Sequence, residues 1–102
     1  MMCMIFVFGT CPNRSEARKI SLHLLKNKLV ACTQIFPIDS SYWWKGKIKH
    51  AKEWMIIAKS VGNNFGKIKT HVKKLHSYKV PEIVIVDAKA DDRYARWVVT
   101  LE

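Results

Sequence analysis

Two side chains that could bind a metal or act as nucleophile or base lie next to predicted elements. Cys11 follows the apolar run Cys3–Phe8, which predicts a buried strand closed by Gly9. His76 follows Leu75, the last apolar position of a predicted helix. A thiol at a helix N-terminus would have a lowered pKa, and an imidazole beside a turn could act as a base or a soft-metal ligand. Each residue also has a plainer interpretation, as an incidental thiol in a turn and as a hydrogen-bonded histidine that ends a helix.

Cysteine-based catalysis is poorly supported by the surrounding residues. A phosphatase-like loop would need arginine six residues after Cys11, and Ala17 occupies that position. The chain has three cysteines and no CxxC pair, which indicates free thiols in a reducing cytoplasm and argues against a structural zinc site. The remaining histidines are interpreted as surface residues without a role; they are His23, His50 and His71.

Three ionisable residues fall inside apolar strand patterns: Glu53, Lys59 and Glu82. A charged side chain in such a position must be paired or must face a cleft, because burying it alone is costly. An ion pair between strands or subunits is the favoured interpretation, ahead of a catalytic carboxylate.

The positive charge is concentrated in residues 45–79. The chain carries a formal net charge of +10, and this segment contains ten lysines against one acid, Glu53. Such a block attracts polyanions, so binding of nucleic acid through the Lys45–Lys79 surface is an alternative function. It is not favoured, because the block lacks arginine and the segment from Lys45 to Lys52 lacks the aromatic residues of an RNA-recognition motif.

The elements expected to position these residues follow the order β-α-β-β-α-β with a terminal helix. Helical spacing of apolar residues predicts two amphipathic helices and a short final one. The first helix carries Ala17, Ile20, Leu24 and Leu25, the second Phe65, Ile68, Val72 and Leu75, and the last, beginning near Asp91 and Asp92, carries Tyr94, Trp97, Val98 and Leu101 facing inward. The later strands are predicted at Leu29–Phe36, ended or bent by Pro37, at Glu53–Ser60 and at Val80–Val86. This order predicts one α+β domain over residues 1–102, a ferredoxin-like sandwich with two helices on one face of an antiparallel sheet.

Exposed apolar surface predicts an oligomer. No helix is expected on the second sheet face, and the hairpin around Gly46 carries Tyr42, Trp43 and Trp44. A monomer would leave these aromatic side chains in water. The longest apolar run, Met1–Phe8, is too short to cross a membrane and lacks signal-peptide features, so a soluble cytoplasmic protein is expected.

Several segments together resemble the CutA family of divalent-cation tolerance proteins. They are Thr10–Pro12, Leu29–Cys32, Ser41–Ile48, the strand from Glu53 to Lys59, and His76–Ile83. The resemblance implies a compact homotrimer in which hairpin strands cross to neighbouring subunits, similar to the PII signalling proteins. It also implies a role in tolerance of divalent metals, chiefly copper, rather than an enzymatic reaction.

The resemblance also implies where ligands bind. Certain bacterial members are attributed a metal site with a cysteine at the end of the first strand and a His-His pair before Pro-Tyr. Here Gly9, Leu75 and Ser77 depart from that pattern and His76 matches it, with Cys11 as a substitute soft ligand. We therefore expect copper or another divalent cation at Cys11 and His76. The alternative is a small ligand in the same inter-subunit cleft, at Tyr42, Trp44, Lys59, Tyr78 and Glu82.

Overall fold

The computed structural model describes residues 4–100, so the predictions for Cys3 and Leu101 lie outside the described residues. The predicted order of elements is confirmed. The elements are β1 (Met4–Cys11), α1 (Arg14–Lys26), β2 (Cys32–Trp44), β3 (Lys47–Val61), a 3-10 turn (Gly62–Asn64), α2 (Phe65–Leu75), β4 (Val84–Ala88) and α3 (Asp92–Thr100).

The four strands form one antiparallel sheet in the order β2-β3-β1-β4. Its first face packs against α1 and α2 through side chains that alternate along the strands. The core includes Ile5, Val7, Ile56 and Ala58 from the sheet and Ala17, Ile20, Leu24, Ile68 and Val72 from the helices. Strand alternation of period two and helical spacing of three to four residues both match these positions. The predicted ferredoxin-like α+β fold is confirmed.

The first strand is longer than predicted. It continues past Gly9 to Cys11, because β3 provides partners as far as the pair Cys11↔Trp54. Cys11 is therefore the residue at which the strand ends. Gly9 is needed for a close approach instead, since a Cβ there would lie 3.1 Å from the carbonyl oxygen of Glu82.

Two other strand boundaries are settled by the pairing. Pro37, predicted to end or bend its strand, lies inside β2 and pairs with Trp54, so the strand does not end there. β2 is an edge strand with one neighbour, where a missing N–H can face away from the ladder. The last strand begins at Val84 rather than Val80, since its pairing with β1 extends only to Phe8↔Val84.

The hairpin between β2 and β3 extends well beyond the sheet. Lys45 and Gly46 both have positive φ, 51° and 77°, and the flanking residues pair as Trp44↔Lys47, which is a two-residue type I′ turn. Beyond the last partner that β1 provides, residues 38–44 and 47–53 form a two-stranded ribbon with a single neighbour each. The predicted exposure of its aromatic residues is confirmed, with Trp43 72% exposed.

The second face of the sheet is partly covered by α3, contrary to the prediction that no helix covers it. Lys59 points away from the face that holds Ile56 and Ala58, and its Nζ donates a 3.1 Å hydrogen bond to the hydroxyl of Tyr94 on α3. Helix α3 can reach this face because it follows β4, the edge strand that pairs with β1. Helix α3 therefore leaves only part of this sheet face uncovered.

The start of α3 agrees with the sequence, and its inward face does so in part. Asp91 precedes the helix, and its Oδ2 accepts a 3.1 Å hydrogen bond from the backbone N–H of Arg93. Val98 is buried as predicted, and Ala95 is the other buried residue of the helix. Tyr94 and Trp97, predicted to face inward, are each 36% exposed because they lie at the margin of the packed face.

Candidate functional site

The thiol of Cys11 and the imidazole of His76 lie side by side. Cys11 ends β1, His76 caps the C-terminus of α2, and the Sγ–Nε2 distance is 3.7 Å. Three hydrogen bonds hold the histidine. Its backbone N–H donates to Val72 O (2.9 Å), its Nε2 lies 2.6 Å from Thr10 O, and its Nδ1 accepts from the N–H of Tyr78 (3.0 Å). This pattern requires the proton on Nε2. His76 is therefore a hydrogen-bonded histidine that ends α2, as one of the two sequence-based interpretations expected, and it also contacts Cys11.

A third metal-binding group joins this pair. Glu16, in the first turn of α1, places Oε2 3.4 Å from His76 Nδ1 and accepts hydrogen bonds from the N–H and hydroxyl of Ser77 (3.2 and 3.0 Å). Ligand atoms of Cys11, Glu16 and His76 all lie within 4.8 Å of one another. We call these three residues the β1-end cluster. Glu16 was not predicted from the sequence; the available signal was an acidic residue in the first turn of the helix that follows Cys11.

The cluster keeps its thiol protonated. Burial raises the pKa of Cys11 to about 12, and the charges of Glu16 and Glu53 add to the effect. The expectation of a pKa lowered by a helix N-terminus is therefore wrong, because Cys11 ends a strand in apolar surroundings near two carboxylates. A protonated, buried thiol is a poor nucleophile at neutral pH.

Four of the five residues predicted to bind a small ligand line one groove. It lies between the ribbon and the segment after α2 and has a volume of about 620 Å³. Its lining includes Tyr42, Trp44, Tyr78 and Glu82, together with Lys49, Glu53 and Lys79. The groove offers aromatic faces, two lysines and two carboxylates, so it can bind a small polar molecule.

Lys59 is not among the residues lining the groove. Its ammonium lies 5.3 Å from the ring centroid of Tyr94 and 5.5 Å from that of Phe6. The hydrogen bond to Tyr94 raises the pKa of Lys59, against the opposing effect of burial. Lys59 therefore helps to hold α3 against the sheet.

Glu53 and Tyr78 connect the groove to the β1-end cluster. The hydroxyl of Tyr78 donates a 2.7 Å hydrogen bond to Oε2 of Glu53, which is 6% exposed. Burial and then the Glu53 carboxylate raise the pKa of Tyr78 well above its usual value. The partner of Glu53 within the described residues is thus a phenol rather than a cation. Because the N–H of Tyr78 also donates to His76, one residue contacts both sites.

The other histidines lie elsewhere. His50, on the ribbon, has Nδ1 2.8 Å from the hydroxyl of Ser41. His23 and His71, interpreted from the sequence as surface residues without a role, contact each other across α1 and α2 with a nitrogen separation of 2.8 Å.

Comparison with known proteins decides the family. The family model described as CutA1 divalent ion tolerance protein matches residues 5–100. The chain belongs to the CutA family. The resemblance found in the sequence is therefore confirmed.

Individual CutA proteins match over most of their length. The divalent-cation tolerance protein CutA of Archaeoglobus fulgidus is 42% identical over 81 residues, 79% of each chain. That of Pyrococcus horikoshii is 35% identical over 97 residues, 94% of this chain and 95% of the relative. The solved structure of the A. fulgidus protein superimposes with a TM-score of 0.91 at 36% identity, covering 93% and 94% of the two chains.

The names of CutA relatives refer to more than one compartment. The A. fulgidus structure is described as periplasmic, and a rice relative as chloroplastic. Within residues 4–100, no helix combines the length and apolar character needed to span a bilayer. The cytoplasmic location stays a prediction.

Proposed function

We propose that this CutA protein contributes to divalent-cation tolerance by binding copper, or another thiophilic divalent ion such as zinc, at Cys11 and His76. The supporting observation is the 3.7 Å separation of Cys11 Sγ and His76 Nε2. A tetrahedral ion with bonds of about 2.3 Å to sulfur and 2.0–2.1 Å to nitrogen places the two ligand atoms about 3.6 Å apart. Thiolate and imidazole together are ligands that suit copper and zinc.

Glu16 has a supporting role in this proposal. For Nε2 to bind the ion, the imidazole proton has to move to Nδ1, which lies 3.4 Å from Glu16 Oε2, and the ring has to give up its present hydrogen bonds to Thr10 O and to the N–H of Tyr78. A carboxylate on the second nitrogen orients a ligating histidine and makes it more basic. Cys11 and His76 would then be the protein ligands, and Glu16 the acceptor that fixes the ring.

Binding must also displace the thiol proton. Because burial raises the pKa of Cys11 to about 12, the thiolate forms at neutral pH only when the ion replaces the proton. We therefore expect the affinity to increase with pH, by about tenfold per pH unit for each proton that the ion displaces. The protonated thiol also favours a binding role over enzymatic catalysis.

We further propose that the chain works as a homotrimer, with the groove at a subunit boundary. The exposed Trp43 and the exposed apolar residues of β4, Val84 and Val86, support an interface. In that assembly Tyr42, Trp44, Tyr78 and Glu82 would contact a small polar ligand.

The test of the metal proposal is a titration of reduced protein under anaerobic conditions with copper(I), which does not oxidise the thiols, and with zinc as the divalent comparison, using a competing chelator to measure affinity. We expect one ion per chain at the Cys11–His76 site. Cys11→Ala and His76→Ala should each weaken binding at least a hundredfold, whereas Cys32→Ala, the matched thiol control, should not. Equal affinity in the wild type and Cys11→Ala would refute the proposal.

Polyanion binding is the competing function, supported by the exposed lysines of α2. These are Lys67, Lys69, Lys73 and Lys74. Binding to phosphate backbones would fall steeply with salt, with a log–log slope of about −0.9 per phosphate contact. Titrating a labelled single-stranded RNA at several salt concentrations tests it. A flat response would exclude this function.

A further inference from the structure

Two histidines far apart in the sequence meet where α1 and α2 pack. Nε2 of His23 lies 2.8 Å from Nδ1 of His71, and the ring centroids are 5.0 Å apart. Each histidine immediately precedes a buried residue, Leu24 on α1 and Val72 on α2. The packed core therefore holds both imidazoles at the margin of the interface between the helices.

The spacing of the two nitrogens matches one type of metal centre. Metal–nitrogen bonds of about 2.0–2.1 Å at a 90° angle place two nitrogens about 2.9 Å apart, whereas a tetrahedral angle requires about 3.3 Å. The observed 2.8 Å is the length of a hydrogen bond between the rings, and it is closer to the 90° spacing, which copper(II) and nickel(II) prefer with nitrogen ligands, than to the tetrahedral one. We propose that His23 and His71 form a second metal site, a bidentate imidazole pair for copper(II) or nickel(II).

The proton between the rings does not prevent binding. Two neutral imidazoles at 2.8 Å share one N–H···N hydrogen bond, so one of the facing nitrogens carries a proton. A change of tautomer moves that proton to the outer nitrogen of the same ring, and both lone pairs then become available to the ion. Because the ring centroids are 5.0 Å apart, the two rings lie nearly in line, and each has to turn by roughly 45° before the two lone pairs meet at an ion bound at 90°.

Asn27 helps to fix the His23 side of the pair. Its Nδ2 donates a 2.8 Å hydrogen bond to His23 O and lies 3.4 Å from His23 Nε2. This contact sits at the C-terminus of α1, where Asn27 is the capping residue. The pair is therefore held both by the helix cap and by the core beneath it.

The surrounding charge selects against hard cations. Exposed lysines flank each histidine on its own helix: Lys19 and Lys26 on α1, Lys67 and Lys74 on α2. Magnesium and calcium bind by charge to oxygen ligands, and the positive field of these lysines repels them. Copper(II) and nickel(II) form strong bonds to imidazole nitrogen, so they bind despite the repulsion.

This site differs from the β1-end cluster in its ligands. Among residues 4–100, the cluster of Cys11, Glu16 and His76 is the one group of three or more metal-binding side chains, so the histidine pair has no third such ligand within reach. Water completes its coordination, and the bound ion exchanges easily. Binding here requires no thiol.

Nickel(II) is the probe that tests the pair, because it does not oxidise thiols. Tag-free full-length protein is titrated calorimetrically at pH 7.5, as wild type and as His23→Gln, His71→Gln and His50→Gln. We expect one nickel ion per chain that survives in Cys11→Ala. Each of His23→Gln and His71→Gln should weaken this binding at least tenfold, and His50→Gln, the control for a lone surface histidine, should not.

The outcomes separate this proposal from the β1-end cluster. Nickel binding unchanged in both His23→Gln and His71→Gln would overturn the pair site, as would an equal loss in His50→Gln. Loss of binding in Cys11→Ala alone would assign the ion to the β1-end cluster and also refute the pair. Two independent single variants keep the test valid even where one of them folds poorly.

Discussion

Tyr78 donates a 2.7 Å hydrogen bond to the carboxylate of Glu53, a residue 25 positions earlier in the chain. Glu53 is the last residue of the ribbon before β3 enters the four-stranded sheet, and Tyr78 belongs to the segment that follows α2. This bond fixes the segment carrying His76 to the base of the ribbon. It also supplies a donor to a carboxylate that is almost fully buried.

Removing the phenol hydroxyl should destabilise the protein. We expect Tyr78→Phe to lower the free energy of unfolding by about 1.5–3 kcal/mol, since a buried carboxylate loses its donor. Tyr42→Phe is the matched control and should change it by less than about 0.5 kcal/mol, because Tyr42 is an exposed residue of the groove. Urea denaturation at pH 7 measures both, and equal stability of the two variants would contradict the role given to this bond.

Alkaline pH should destabilise the fold through Cys11. Its pKa rises from an ordinary 9.0 to about 12 on folding, so between these values the unfolded thiol loses its proton and the folded one keeps it. The stability contribution is complete below pH 9 and declines by about 1.4 kcal/mol per pH unit above it. We expect Cys11→Ala to have a flatter alkaline decline than Cys32→Ala in denaturation curves from pH 8 to 10.5. Parallel curves would refute this prediction.

Glu16 should affect metal affinity without being a ligand. We expect Glu16→Gln to weaken copper binding about 10–100-fold, as is typical when the partner of a ligating histidine is lost. Glu82→Gln is the control, since that carboxylate lines the groove and is not a member of the β1-end cluster. Chelator competition measures both variants. A loss as large as that of Cys11→Ala would instead make Glu16 a direct ligand.

Two glycine substitutions should have opposite effects. A Cβ on Gly9 would lie 3.1 Å from Glu82 O, so Gly9→Ala must displace backbone and should cost about 1–3 kcal/mol. Gly66, in the first turn of α2, has no atom within 4 Å of such a Cβ. Gly66→Ala should therefore stabilise the protein by about 0.5–1 kcal/mol through helix propensity. Thermal denaturation checks both signs, and a stabilising Gly9→Ala would exclude a tight contact.

The sequence pattern predicts which face of a helix or strand is buried better than it predicts where that element ends. Apolar spacing correctly assigns Ile20 and Ile68 to helix faces in the core, because burial imposes its period on the sequence. The end of β1 and the start of β4 depend on where partner strands stop, which no local pattern records. Predictions therefore placed the strand end at Gly9 when pairing carries it to Cys11.

Part of the candidate site was predictable from residue types and from the family resemblance, and part depends on how the helices pack. Cys11 and His76 were paired from their types and from the family resemblance, whereas Glu16 is brought to His76 by the packing of α1 beside the end of α2. Lys59 was assigned to the cleft with Tyr42 and Glu82, and it does share a sheet face with Glu53, which lines the groove. Six residues of strand span about 20 Å, however, so Lys59 contacts α3 at a distance from the groove.

The ribbon has a consequence for how the protein responds to dilution. Two strands without further neighbours are marginally stable in water, so residues 38–44 and 47–53 need another surface to become fully ordered. In the proposed trimer that surface belongs to other copies of the chain, and order in the ribbon then follows mass action. Raising the protein concentration would therefore stabilise the ribbon, in the same way that adding a ligand stabilises the state that binds it. The groove, one wall of which is the ribbon, would reach its binding-competent shape only above the concentration at which subunits associate.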